Sequence, residues 1–250
     1  MDVQKYLDRI NHSGPVEPSA KTLRALHRAH IFSVPFENLD IHLGRPILLA
    51  EEVFFDKIVE RRRGGFCYEL NGLFAALLRR IGFDVTMLSA GVARPDGGYS
   101  PDFDHMALLV RTDGDWLADV GFGDSFIDPI KLEESSITRD ETGAYSIKAE
   151  GESLIMQRRG DSEAGWKPQY RFSLEPRLLS DYEEMCRYQQ TSPESHFTQN
   201  RICSLATPTG RITVTNDKLI TTSSRIREER SISDEAEFNG LLAEHFGIYL

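Results

Sequence analysis

The stretch RGGFCYELN, residues 63–71, places a cysteine directly after a glycine pair and at the start of a helical pattern. Apolar residues then recur at the spacing of one buried helix face, and these are Leu70, Leu73, Phe74, Leu77 and Leu78. A cysteine in the first turn of a helix lies beside unpaired backbone N–H groups, which favour the thiolate and can hold an oxyanion. The pattern therefore predicts a nucleophilic Cys67. A small buried apolar residue beside a glycine turn would have the same local sequence, so this stretch leaves both interpretations open.

The composition narrows the class of protein. The chain has 250 residues, enough for one large domain or for two to three small ones. The three cysteines, Cys67, Cys186 and Cys203, have no C-x-x-C spacing, which argues against a disulfide framework and a cysteine-only zinc site. The formal charge of -10 opposes nucleic-acid binding, and no long apolar run or signal-peptide pattern occurs. We expect a soluble cytoplasmic protein with no nucleic-acid or membrane partner.

The hydrophobic periodicity changes along the chain. The first third predicts helices, with Ser19 as a helix N-cap, Gly82 as a helix end and VPFENLD as a proline-broken connector. The predicted strands that follow are DVTMLSAGV, MALLVRT, WLADV, YSIKAE, SLIMQRR and YRFSL. The tail predicts a helix at 178–190, two strands at CSLAT and RITVTNDKLITT, and a closing helix near DEAEFNGLLAEHF. This order indicates an α+β protein with segregated layers.

Two further residues complete a possible catalytic group with Cys67. His105 opens one predicted strand and Asp119 ends the next, so both lie on one hairpin. A two-residue turn at Asp113 and Gly114 would place Asp119 about 10 Å from His105 along the ladder and on the opposite face. Contact between them requires a bulge or a longer loop around the turn. A solvated histidine at a strand start is the alternative interpretation.

Several motifs resemble one known family. The segments are RGGFCYELN, VPFENLD, HMALLV, DVGFG and FTQNRICSLATPTGR, and in this order they are similar to the arylamine N-acetyltransferases. The resemblance implies a helical domain at 1–82, a β-barrel domain at 83–190 and an α/β lid at 191–250. It also implies a cysteine-protease-like core with Cys67 as nucleophile, His105 as base and Asp119 as orienting carboxylate.

The resemblance assigns further residues to substrates. It implies that Phe36, Phe122 and Phe197 line the acceptor pocket, although plain core packing is the alternative for each ring. Gly121, Gly123 and Ser125 match a segment expected to contact the coenzyme. The residues after DVGFG depart from the usual glycine-rich continuation, because Asp124 and Ser125 stand there.

The resemblance also implies a charge pair between Glu37 and Arg63 that ties the VPFENLD connector to the cysteine loop. His27 and His30 could suggest a metal, but no third ligand is apparent in the sequence and both lie on an amphipathic helix. We therefore expect a surface histidine pair and no metal.

The predicted activity is acetyl-CoA-dependent N-acetylation of arylamines and arylhydrazines, by a ping-pong mechanism through an acetyl-cysteine intermediate, with acetyl-CoA as cosubstrate. The alternative enzyme is a transglutaminase-like amidase or peptidase, which uses the same three residue types in the same chain order. A binding protein that retains the fold without turnover is the third interpretation.

Overall fold

The computed structural model describes residues 1–133, 136–160, 165–224 and 226–250 of the chain. Its first helices are α1 (Val3–Arg9), α2 (Ala20–Ser33), α3 (Leu39–His42), α4 (Glu51–Phe55) and α5 (Cys67–Ile81). A π-helical turn over Asp56–Glu60 continues α4. Ser19 caps α2 by accepting a hydrogen bond from the Thr22 amide at 3.1 Å, as predicted. Gly82 ends α5 in the left-handed conformation, with φ of 108°.

The middle of the chain forms an eight-stranded sheet. Its strands are β2 (Asp84–Val92), β3 (His105–Arg111), β4 (Asp115–Ala118), β5 (Ile130–Lys131), β6 (Ile137–Asp140), β7 (Gly143–Glu150), β8 (Ser153–Arg159) and β9 (Lys167–Phe172). The order is β5-β4-β3-β2-β9-β8-β7-β6, and all neighbours are antiparallel. The edge strands β5 and β6 come together, so the sheet nearly closes into a barrel.

Strand β3 is apolar from Met106 to Val110, where both of its faces are buried. Met106 and Leu108 pack into the core formed with the helices, whereas Ala107 and Leu109 pack inside the barrel-like sheet. Helix α5 contacts both β2 and β3, and it is buried from Cys67 to Leu78. The helix that begins with Cys67 therefore lies directly against the strand that begins with His105.

The C-terminal part forms a second sheet. After a 3₁₀ turn at Leu179–Tyr182, the elements are α6 (Glu183–Thr191), α7 (His196–Gln199), β10 (Ile202–Thr207), β11 (Gly210–Thr215), β12 (Lys218–Ser223), β13 (Ile226–Ser231) and α8 (Glu235–Phe246). The sheet has the antiparallel order β1-β10-β11-β12-β13, in which β1 is Phe36–Glu37. Helix α8 buries Phe238 and Leu242 against it.

The α+β fold class is confirmed, but the strand predictions are wrong or incomplete in several places. RITVTNDKLITT is not one strand: it is the hairpin of β11 and β12, which reverses at Asn216 and Asp217. Strand β13 was not predicted, because its residues are exposed and carry no apolar alternation. VPFENLD is more than a connector, because it contains β1. The division into three domains at 82 and 190 stays a prediction. Among the described residues, we find no helix with the length and apolar character that a membrane crossing requires.

Candidate active site

His105 and Asp119 form a direct pair. The His105 Nε2 and Asp119 Oδ2 atoms are 2.7 Å apart, and both residues are buried. An ionised carboxylate only accepts hydrogen bonds, so Nε2 donates to Asp119 and the lone pair of the neutral tautomer is on Nδ1. The imidazole therefore has one nitrogen committed to Asp119 and one able to take a proton.

The strand register explains how the two residues meet. Leu108 pairs with Ala118, so the connection is a three-residue turn over 112–114, in which the Thr112 amide donates to the Gly114 carbonyl at 2.9 Å. The predicted two-residue turn is wrong by one position. Continued one step further, the observed ladder places Asp119 on the same face as His105, because a shift of one residue exchanges the faces of a strand. The three-residue turn is therefore the longer loop that contact between His105 and Asp119 requires.

Cys67 is the first residue of α5 and lines the same cleft as His105. The glycines before it allow close backbone packing: a Cβ on Gly64 would lie 2.0 Å from the Pro35 carbonyl oxygen. The segment after Asp119 also packs closely on the cysteine, because a Cβ on Gly121 would lie 2.8 Å from the Cys67 Cα. Both glycine positions therefore bring other backbone segments against the cysteine turn.

The electrostatic setting differs between the thiol and the carboxylate. Burial raises the pKa of the Cys67 thiol well above its ordinary value, and the charges of Asp104 and Asp119 add to this effect. Burial therefore opposes the effect of the helix start, and the thiolate expectation stays a prediction. Burial also opposes the charge of Asp119, yet interaction with His105 and hydrogen bonds keep the pKa of this carboxyl below its usual range. Burial thus opposes charge on both groups, and hydrogen bonding offsets this effect for Asp119.

Asn71 joins the nucleophile helix to the carboxylate. It lies one turn after Cys67 on α5, and its Nδ2 donates to Asp119 Oδ1 at 2.8 Å. Its Oδ1 accepts from the Val120 amide at 2.9 Å. No role was predicted for this residue, although it ends the RGGFCYELN motif. Its position four residues after a candidate nucleophile was the available signal.

The cleft, which we define by Cys67, His105 and Phe122 together with the surfaces that continue from them, has a volume of about 1280 Å³. It also includes Phe36, Phe197, Gly121 and Gly123 from the predicted set. The rings of Phe36 and Phe197 are 6.1 Å apart, and the Phe122 ring lies 4.9 Å from the His105 ring. The structure thus brings three predicted aromatic residues to one cavity.

Ser125 does not belong with these residues. Its side chain is buried, lies outside the cleft and faces a small separate cavity beside Phe126. The assignment of Ser125 to coenzyme binding stays a prediction, since this residue does not line the cleft wall that Gly123 and Asp124 form.

Asp124 is the unexpected carboxylate of the cleft wall. Arg158 and Arg211 lie 3.6 Å and 3.5 Å from its two oxygens. The three side chains together carry one net positive charge. The carboxylate consequently does not make this wall repel an anionic ligand.

Glu37 and Arg63 form the predicted buried pair, with Arg63 Nε donating to Glu37 Oε1 at 3.0 Å. The pair belongs to a larger network, because Lys57 Nζ lies 2.9 Å from Asp40 Oδ2 and 2.9 Å from Glu69 Oε1. All five side chains are buried or nearly so. The network connects β1, α3 and the π-helical turn to the first turn of α5.

His27 and His30 are not a surface pair, because both are fully buried. His27 contacts the backbone of Asp119, and His30 Nδ1 is 2.7 Å from the Tyr6 hydroxyl. The reason is visible in the spacing: both histidines fall on the apolar stripe of α2 with Leu23 and Leu26. Within the described residues, no group of three or more His, Cys, Asp or Glu side chains could hold a metal ion.

Comparison with known proteins gives the family of the chain. The family model described as N-acetyltransferase matches residues 19–250. The arylamine N-acetyltransferase of Mycolicibacterium smegmatis is 37% identical over 100% of this chain and 93% of its own length. The enzyme of that name from Escherichia coli strain K12 is 34% identical over 97% of this chain and 87% of its own length.

Solved structures of the same family match the fold of this chain over nearly its whole length. The Mycobacterium marinum arylamine N-acetyltransferase in complex with CoA has a TM-score of 0.91 and 32% identity, and the match covers 99% of this chain and 93% of that chain. The solved M. smegmatis arylamine N-acetyltransferase has a TM-score of 0.92 and 35% identity, with 99% of this chain and 92% of that chain covered. The chain belongs to the arylamine N-acetyltransferase family of acyltransferases.

Proposed function

We propose that the chain transfers an acetyl group from acetyl-CoA to the nitrogen of an arylamine or arylhydrazine, through an acetyl-cysteine on Cys67. The observation that carries this proposal is the His105–Asp119 pair at 2.7 Å beside the cleft that Cys67 lines. Family membership supports the choice of substrates, since the relatives are named as arylamine N-acetyltransferases and one solved neighbour is a complex with CoA.

In the first half-reaction, the Cys67 sulfur attacks the thioester carbonyl while its proton passes to His105 Nδ1. Burial opposes the thiolate, so proton transfer to His105 supplies the nucleophile. Amides at the start of α5 that the helix leaves without carbonyl partners lie near the oxyanion. Collapse of the intermediate breaks the bond to the coenzyme sulfur, which leaves as a thiol with the proton from the imidazolium.

In the second half-reaction, the amine nitrogen attacks the acetyl carbon and its proton passes to His105. The carbon–sulfur bond to Cys67 breaks, and the cysteine recovers a proton from the imidazolium. Asp119 stabilises the imidazolium in both halves through the Nε2 hydrogen bond. The acceptor ring would lie among Phe36, Phe122 and Phe197, and the coenzyme beside Gly121 and Gly123.

We also propose that the protein works in the cytoplasm. All three of its cysteines are free and buried, which suits a reducing compartment. The relevant partners would then be the coenzyme A thioester and a small aromatic amine or hydrazine.

Initial-rate kinetics test the proposal. With acetyl-CoA and an arylamine varied together, parallel double-reciprocal lines and one equivalent of released coenzyme A per acetylated amine are expected. Intersecting lines would contradict a free acetyl-enzyme. Cleavage of amide substrates without coenzyme A would instead identify the amidase chemistry that the same three residue types can perform.

A further inference from the structure

One buried side chain closes the loop that follows β4. The amide of Asp119 donates to His27 Nε2 at 3.0 Å, and His27 Nδ1 lies 2.7 Å from the carbonyl oxygen of Ile127. A carbonyl only accepts a hydrogen bond, so Nδ1 must be the protonated nitrogen. The neutral ring then offers its lone pair at Nε2 to the Asp119 N–H. A single imidazole therefore bridges both ends of residues 119–127.

The surroundings of His27 favour this one neutral form. The Phe126 ring stacks on the imidazole at 5.6 Å with an interplanar angle of 7°, and the Phe74 ring meets it edge-on at 6.0 Å. Burial is the main influence on the imidazole and lowers the pKa of His27. Packing thus fixes the orientation of the ring and the absence of charge.

Other residues of the same helix strengthen the far end of the loop. Arg24 and Arg28 contact the two carboxylate oxygens of Asp128 at 2.6 Å and 2.9 Å. Helix α2 therefore contacts the loop at Asp119, at Ile127 and at Asp128. Between these points lie Gly121 to Asp124, which form part of the cleft wall.

The backbone position of Asp119 controls its carboxylate. One oxygen accepts from His105 Nε2, and the other accepts from Asn71 and from the Gly121 amide at 3.0 Å. The carboxylate can satisfy these three donors only if the main chain stays in place. A displacement of about 1 Å at such a group can reduce a catalysed rate by about a hundredfold.

We propose that His27 is a positioning residue of the catalytic group: by closing residues 119–127, it holds the Asp119 carboxylate on His105. The relevance of this role to turnover rests on the proposed function. The role itself is a property of the free protein, so it can be tested without any acetyl transfer.

Two substitutions test the two hydrogen bonds of the His27 imidazole separately. In His27→Gln the side-chain amide reaches the position of Nε2, so its oxygen can accept from the Asp119 N–H. In His27→Asn the amide ends near the position of Nδ1 and can serve the Ile127 carbonyl alone. His30→Asn is the matched control, because His30 is equally buried on the same helix but contacts Tyr6.

The measurements are the pH profile of Cys67 alkylation by iodoacetamide, the rate of Cys67 acetylation by acetyl-CoA, and urea unfolding. We expect His27→Asn to shift alkylation to higher pH, because a displaced Asp119 supports the His105 imidazolium less well. Acetylation should fall about ten- to a hundredfold. His27→Gln should retain most of the wild-type alkylation profile and most of the acetylation rate. His30→Asn should change stability alone. A wild-type profile in His27→Asn, or the same shift in His30→Asn, would overturn the proposal.

A measurement on the unaltered protein covers the case in which the variants fail to fold. Nitrogen-15 NMR of the labelled chain should show His27 neutral, with its proton on Nδ1 and an unprotonated, hydrogen-bonded Nε2. A proton on Nε2 would be incompatible with the bond from the Asp119 amide and would overturn the assignment. If acetylation is absent in the wild type while the alkylation and NMR results hold, the proposed function fails and the positioning role stands.

Discussion

Both carboxylate oxygens of Asp119 accept hydrogen bonds. The oxygen that faces His105 decides the tautomer of the imidazole. In Asp119→Asn the shape is retained, but an amide N–H can face His105 Nε2 and move the ring proton to Nδ1. The ring then cannot accept the Cys67 proton. We expect the acetylation rate to fall on the order of 10⁴-fold, as the equivalent change does in the serine-protease example of this arrangement. Single-turnover kinetics measure it.

The matched control is Asp113→Asn, because Asp113 is an exposed residue of the turn between β3 and β4. It should acetylate at the wild-type rate. Equal rates in the two variants would remove Asp119 from the mechanism.

The two buried histidines make stability depend on pH. Burial lowers the pKa of both His27 and His30, so the unfolded chain binds protons at a higher pH than the folded chain does. The free energy of unfolding should therefore fall as pH drops below about 6.5, by up to about 1.4 kcal/mol per pH unit for each histidine. Urea titrations over the range from neutral to mildly acidic pH should show this slope, and His30→Gln should make it shallower. An unchanged slope in His30→Gln would contradict this explanation.

At the residue scale, the motifs selected Cys67, His105 and Asp119, which the structure brings to one cleft and one hydrogen-bonded pair, but not the residues that support them. His27 was missed because a histidine on an amphipathic helix is usually solvated, and only the fold shows that Asp119 lies opposite it. Ser125 lines a small cavity beside the cleft, and sequence order alone cannot tell which side of a loop a side chain occupies.

At the element scale, helix α8 and its C-cap contain two glycines whose substitution should have opposite effects. Gly240 lies in the helix interior with open space around the position of a Cβ. Gly240→Ala should therefore raise the free energy of unfolding by about 0.5 to 1 kcal/mol. Gly247 ends the helix at φ of 65°, so Gly247→Ala should lower it by about 1 kcal/mol or more. Thermal unfolding of both variants gives the signs, and a shift in the same direction for both would contradict this interpretation of the helix.

The predicted element boundaries agree with the structure where the local sequence signals are strong. The strand at Asp84–Val92, the strand at Ser153–Arg159 and the helix from Cys67 all agree with their sequence patterns. The Asn216–Asp217 reversal was missed because β-branched and apolar residues lie on both sides of it, although Asn and Asp are typical turn residues. The pairing of β1 with β10 depends on residues far apart in the chain, which no local pattern reports.

At the scale of the whole molecule, the buried charge network links the C-terminal sheet to the cysteine turn. Lys57 neutralises part of the charge of Glu37, Asp40 and Glu69, and the Glu69 carboxylate in turn accepts from the Phe66 amide at 3.1 Å. Lys57→Met would leave three buried carboxylates with Arg63 alone. Breaking such a buried network should lower the free energy of unfolding by about 3 to 5 kcal/mol. Urea denaturation measures the loss.

Lys5→Met is the control for this change. Lys5 also pairs with a glutamate, Glu60, at 2.7 Å, but both side chains are about half exposed. Exposed ion pairs contribute little to stability. The control should therefore unfold like the wild type, and a loss in Lys57→Met no larger than in Lys5→Met would show that the network does not hold the cysteine turn.

The central claim is that Cys67 carries the acetyl group between the two substrates. The most direct measurement is the intact mass of the protein after mixing with acetyl-CoA in the absence of an amine, followed by peptide mapping. We predict one added acetyl group, on the peptide that contains Cys67, and no adduct in a folded Cys67→Ala variant. An unmodified wild-type protein, or an acetyl group on Cys186 or Cys203 with Cys67 free, would contradict it.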